Sequence, residues 1–152
     1  MLTQALGVAA VVGSGVVAGV LFSVALTTVP ALRAMPVDRY VYTHKRIGVN
    51  FDPTMPILVL GSMVLDAVLA GTAGTAPARI LWGAGAVLLL GVSGVSHLCN
   101  VPINRRIRAL DTDEPPPGWR DPRPVWRAWH LLRTALSVLA LVAGAVASAS
   151  AT

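Results

Sequence analysis

Four long stretches of the chain are almost free of charge, and the polar side chains gather between them. Met1–Leu32 carries no charge, Pro53–Gly71 carries only Asp66, and Ile80–Asn104 and Thr134–Thr152 carry none. A helix needs about 20 apolar residues to cross a hydrocarbon core of about 30 Å. The pattern therefore predicts four membrane-spanning helices, over approximately residues 4–29, 54–71, 79–100 and 130–149. Together they form one all-α four-helix bundle, a single transmembrane domain over residues 1–152.

Local chemistry sharpens the boundaries. Pro30 is expected to close the first span, and Asn100-Val-Pro102-Ile-Asn104 the third, because the residue before proline avoids the helical region. Pro53 and Pro56 suit the first turn of the second span, where a missing N–H costs nothing. Gly71–Pro77 reads as a short turn. Between the first two spans, residues 38–49 predict a short amphipathic helix at the interface, with Tyr40, Tyr42 and Phe51 at headgroup depth. Asp111–Pro124 holds five prolines and a glycine and reads as an ordered or extended loop. Trp82 is expected to anchor the third span at the membrane surface. Gly15-x-x-x-Gly19 offers a small-residue surface, assigned to packing inside the bundle. No internal repeat is evident. The first span lacks a basic leader and is longer than a signal-peptide core, so it is expected to remain in the mature protein.

Composition agrees with this reading. A hydrophobic share of 55%, a charged share of 12% and a mean hydropathy of +0.68 exclude an ordinary soluble domain. The net charge is +5, but its placement argues against nucleic acid as partner. Eleven of the twelve Lys and Arg residues lie in Arg33–Asp52 and Arg105–Arg133, with only Arg79 elsewhere. Four spans put those two segments on the same face. Basic loops stay in the cytoplasm, so both long loops are expected there and both termini outside. The single Cys99 has no partner for an internal disulfide and is read as a small core residue.

Candidate chemistry collects at the same end. His44 lies in the first long loop, His97 inside the end of the third span, and His130 at the start of the fourth. Imidazole suits copper, iron or zinc and also acid–base work near neutral pH. None of the three pairs with another at the spacing of a helical metal motif. Asn100 shares a helical face with His97 and Asn104, as glue between helices or as a pocket for a substrate oxygen. Trp126, His130, Arg133 and Thr134 fall near one face of the fourth span, with Trp129 beside them. Arg133, about a turn inside, either snorkels to the interface, pairs with Asp52, or holds an anionic oxygen. Asp66, nearer the other end, is expected to pair with Arg79.

These pieces in this order resemble the anthrone oxygenase family of small membrane proteins (domain of unknown function 1772). The resemblance rests on Val29-Pro30-Ala31-Leu32, His44, Asn100-Val-Pro102-Ile-Asn104-Arg105-Arg106 and Trp126-x-x-Trp129-His130-x-x-Arg133-Thr134. It implies a four-helix membrane oxidoreductase, an oxygenase or oxidase acting on an apolar aromatic of the anthrone type with dioxygen. Asn100, Asn104, His130, Arg133 and His44 match the family's polar positions, and His97 is not among them.

The leading expectation is a membrane oxygenase with His130 or His44 as proton acceptor and Arg133 and the asparagines stabilising the anion. Asn100, Asn104, Trp126, Trp129 and Thr134 are the expected substrate-binding residues. The site works without a cofactor or through copper or iron held by His44, His97 and His130; a haem with axial histidines is the third possibility. A non-catalytic membrane protein, binding a small molecule or serving as an accessory subunit, is the rival. The two differ in whether the histidines and Arg133 converge on one cavity.

Overall fold

The computed structural model describes residues 1–110 and 117–150. Residues 111–116 of the expected proline-rich loop lie outside the described residues. Four helices are long and apolar enough to cross a membrane: α1 (Leu2–Ala34), α3 (Thr54–Thr72), α4 (Ala76–Arg108) and α5 (Arg123–Ala149). The short α2 (Val37–Arg46) lies between the first two. Helix α1 packs on α3 and α5, and α4 packs on the same two. The bundle is therefore a square with α1 and α4 on one diagonal.

Both α1 and α4 continue past the prolines expected to end them. Proline lacks an N–H, and its ring clashes with the carbonyl four residues earlier, at Leu26 and Leu98 here. The clash is relieved by one widened turn in each helix. Val24–Thr28 and Ser96–Asn100 are π-helical, and the N–H groups of Val29 and Val101 reach five residues back, to the carbonyls of Val24 and Ser96. The α-helix then resumes to Ala34 and Arg108. A repeated element becomes visible at this point: each π turn is followed by Val-Pro-x-x-Arg, Val29 to Arg33 in one and Val101 to Arg105 in the other. A π turn inside an α-helix is uncommon and is often found at a functional site.

The end of the bundle away from the long loops closes on Trp82. It is 3% exposed and packs with Ala10, Leu69, Ala73, Ala78 and Ala147. It is thus an internal plug and not the expected surface anchor. Small neighbours make the room: a Cβ on Gly144 would stand 3.1 Å from the indole, and one on Gly7 3.8 Å. Of Gly15-x-x-x-Gly19, only Gly15 meets another helix, with a built Cβ 3.8 Å from Leu141 of α5. Gly19 has nothing within 4 Å of a built Cβ, while Gly13 lies directly against the Ser62 hydroxyl. Gly13, not Gly19, is on the side of α1 that meets α3.

Asp66 does not pair with Arg79. It shares the inner face of α3 with Val59, Ser62 and Leu69, and its carboxyl lies against Gly85, where a Cβ would come within 2.6 Å of Oδ2. Arg79, in the first turn of α4, donates its Nε–H to the Ala73 carbonyl at 2.7 Å, satisfying the end of α3.

At the other end α2 folds across the bundle. Tyr40 and Val41 bury against Leu32 and Ile107, while Tyr42 and Phe51 remain exposed. Gly48 stops the segment with a φ of 75°, a left-handed conformation that glycine adopts without cost. Arg123 at the start of α5 donates to the carbonyls of Leu32 and Met35 at 3.1 and 2.7 Å and pairs with Asp121 at 2.7 Å. That clamp ties α5 to the end of α1.

Candidate functional site

Beneath α2, between the two π turns, lies a cavity of about 260 Å³. Its apolar walls come from α1 (Val20, Leu21, Val24), α3 (Met55, Pro56, Val59) and Phe51. Its polar groups come from α1 (Thr28), α2 (His44), α4 (Ser93, Ser96, His97, Asn104, Arg108) and α5 (Trp126, Arg133), with Asp52 from the segment before α3. A largely apolar pocket with a few convergent polar groups is the usual form of a small-molecule site.

The protonation pattern of its core follows from donors that have no choice. Trp126 Nε1 can only donate, and it lies 2.9 Å from Asn104 Oδ1. The amide orientation of Asn104 is thereby fixed, with oxygen toward Trp126. The same oxygen lies 3.0 Å from His44 Nε2, so that nitrogen carries the proton. His44 Nδ1 is then a bare lone pair, and it is buried with no hydrogen-bond partner. Burial holds the His44 pKa below its ordinary value; the bond to Asn104 opposes this, and the charge of Arg108 adds to it. His44 is thus a neutral imidazole with one idle acceptor.

His130 is arranged differently. Its Nε2 donates to the Leu21 carbonyl at 3.0 Å, next to the first π turn. Its Nδ1 receives Arg133 Nη2 at 2.9 Å and Nε at 3.2 Å. Both ring nitrogens are occupied, and the imidazole is fully buried. The expectation of His130 as a direct proton acceptor does not fit this geometry, because its lone pair already holds Arg133. Its evident effect is to aim the guanidinium.

Arg133 spends one further N–H on Ser96 Oγ at 3.2 Å. A guanidinium has five donors, so two remain for the cavity it lines. No carboxylate among the described residues pairs with it; Asp52, the alternative partner, instead lies 3.9 Å from Arg108. A cation at the edge of a spanning helix, held by neutral groups only, is a ready site for an anionic oxygen.

Aromatic rings stiffen the assembly. The Tyr40 and His44 rings meet edge-on at 5.4 Å, His44 and Trp126 at 5.8 Å, and Trp126 stacks on His130 at 5.3 Å. Every ring that could move His44 or His130 is wedged against another.

The other expected residues fall outside the cavity wall. Asn100 is buried behind it and donates to the Trp126 carbonyl at 3.1 Å, joining the second π turn to α5. Thr134 is buried and bonds the His130 carbonyl at 2.8 Å. Trp129 is 37% exposed and lies on the outer face of α5. The three histidines do not form a metal site: among the described residues no group of three His, Cys, Asp or Glu side chains is placed to hold an ion. A metal on His130 would have to displace Arg133 or the Leu21 carbonyl, and His97 turns its Nδ1 to its own helix, 2.9 Å from the Ser93 carbonyl. An axial haem ligand at His130 meets the same obstacle.

Sequence reasoning missed Ser93, Ser96 and Arg108 as wall residues, and it missed the π turns. The signal that could have found the turns was present: a Val-Pro-x-x-Arg motif inside two apolar stretches of matching character.

The description of one family model, anthrone oxygenase, matches residues 48–143, which takes in α3, α4 and most of α5. His44 and α1 lie outside the matched residues. No curated protein and no solved structure matches the chain.

Proposed function

The chain belongs to the anthrone oxygenase family, and we propose that it is a membrane-bound oxygenase acting on a flat, apolar aromatic ketone of the anthrone type. The observation that carries this reading is the pairing of an idle acceptor, His44 Nδ1, with two idle Arg133 donors in residues lining one apolar cavity.

An anthrone carries an acidic C–H opposite its carbonyl. His44 Nδ1 accepts that proton, and the charge passes to the carbonyl oxygen, where Arg133 stabilises it. Dioxygen bonds to the electron-rich carbon and takes up the electron pair as a peroxide. The proton returns from His44 to the peroxide, and loss of water leaves a second carbonyl. The sum is substrate plus dioxygen to quinone plus water, with no proton left over. Asn104 and Trp126 hold His44 in the required tautomer, and Trp126 adds an aromatic wall.

The apolar substrate is proposed to enter from the bilayer, with both long loops and the cavity at the cytoplasmic side, as the eleven-to-one division of Lys and Arg favours. Cysteine placed at Arg120 should resist an impermeant thiol reagent in intact cells, while cysteine at Ser150 reacts; the reverse pattern overturns the orientation.

The test of function is dioxygen uptake by purified protein with anthrone, with quinone identified as product. His44→Ala should lower turnover about 10²-fold or more while the protein still elutes as a folded species. Wild-type protein that binds anthrone without consuming dioxygen would favour a non-catalytic binding role.

A further inference from the structure

His97 stands apart from the other two histidines. It lies on the second π turn, lines the cavity and is exposed, so it stands on the rim. Its Nδ1 is 2.9 Å from the Ser93 carbonyl and 3.4 Å from Ser93 Oγ. A carbonyl only accepts, so Nδ1 carries the proton and Nε2 is a lone pair. Nε2 has no hydrogen-bond partner among the described residues. The ring is held by its own helix, one residue from Ser96, whose hydroxyl receives Arg133.

The cavity thus presents two kinds of polar contact. Arg133 offers donors, which suit a carbonyl or enolate oxygen. His97 Nε2 offers an acceptor at the rim, which suits a hydroxyl. A hydroxyl directly beside a ring carbonyl closes onto that carbonyl and has no proton to share. The hydroxyl that His97 can use is therefore at a position remote from the carbonyl.

We propose that His97 is a specificity-determining residue whose Nε2 accepts a hydrogen bond from a free phenolic hydroxyl of the aromatic ligand while Arg133 holds the ligand's ketone oxygen. This rests on the reading of the cavity as a site for flat aromatic ketones. It goes beyond that reading in naming the substituent the site selects and the residue that selects it. His97 does no chemistry in this role.

The test uses stable probes that do not react with dioxygen: 2-hydroxyanthraquinone, 2-methoxyanthraquinone and anthraquinone, titrated into the purified full-length protein in detergent. One net hydrogen bond corresponds to about a fivefold to tenfold change in Kd. Wild type should prefer the hydroxy probe over the methoxy probe by about that factor. His97→Phe should remove the preference, bringing the ratio of hydroxy to methoxy affinity to about one, because nothing else bonds to Nε2. His97→Gln, which keeps an acceptor, should restore part of it. A wild type without the preference, or without affinity for any of the three, overturns the proposal, as does a preference that survives in His97→Phe. Dioxygen uptake is measured on the same preparations. Selective binding without uptake would sink the oxygenase reading and leave the His97 assignment standing, so the two fail separately.

Discussion

The two ends of the bundle are made from the same four helices and solve opposite problems. At one end a single large side chain, Trp82, is set among alanines and glycines, and the helices close on it. At the other, α1 and α4 each take a π turn, and a cavity remains between them into which four helices, α1, α2, α4 and α5, send polar groups. The closed end spends its small residues on contact. The open end spends its prolines on keeping two helices from closing. In a bilayer, where lipid tails are as apolar as leucine, close packing and satisfied hydrogen bonds hold helices together. The closed end therefore carries stability, and the open end is free to carry chemistry.

The sharpest way to break this comparison is at the closed end. Trp82→Ala should cost about 3–5 kcal/mol of stability, the usual loss for removing a buried aromatic. Turnover per folded molecule should stay near wild type, since Trp82 does not line the cavity. Unfolding in mixed detergent, read beside activity of the folded fraction, tests both halves. A variant of normal stability, or a folded variant without turnover, would show that the two ends are not separable.

Next in size is Arg133. Arg133→Ala removes the only guanidinium aimed by His130 and should lower turnover about 10²- to 10³-fold, the range for losing a donor to a developing oxyanion. Arg133→Lys should rescue little, because one ammonium cannot meet His130, Ser96 and a ligand oxygen in a fixed fork. His130→Ala should resemble a weaker Arg133 variant, without changing the acid limb of the pH profile, since His130 acts through Arg133. An acid limb that disappears with His130 instead of His44 would reverse the roles of the two imidazoles.

The contrast between the ends also marks what the sequence disclosed. The four apolar stretches, the common end for the basic residues and the cluster of His44, Asn104, Trp126 and Arg133 were legible, because period, charge and helical spacing are local properties. The π turns were not. A proline within an apolar run reads as a terminator, and only packing of the next turn against α2 and α5 makes continuation worthwhile. Nor did spacing distinguish His44 from His130. Both sit beside Trp126, and the difference depends on which nitrogen meets a carbonyl contributed by Leu21 of α1. Asp66 and Arg79 were close along the chain, yet the helix face sent one inward and the other back to the Ala73 carbonyl at the end of α3.

The smallest effect expected is also the most specific to the open end. His44 accepts a proton only when neutral, so turnover should be flat above the ordinary histidine range and fall as pH drops through the His44 pKa. Burial places that pKa below its usual value, so the limb should lie below pH ~6.5. Stability follows the same sign. The unfolded chain takes up the proton more readily than the folded one, and this contribution is complete above the unfolded pKa and is lost as pH falls toward the folded one. Arg108 is exposed and disfavours the charged imidazole. Arg108→Ala should therefore move the acid limb to higher pH, by less than about one unit for a solvent-screened charge. The displacement should shrink in 1 M salt, where the screening length is about 3 Å, while the limb itself remains. A limb that moves to lower pH in Arg108→Ala, or that stays in place at low salt, would mean that the titrating group is not the His44 imidazole beside Arg108.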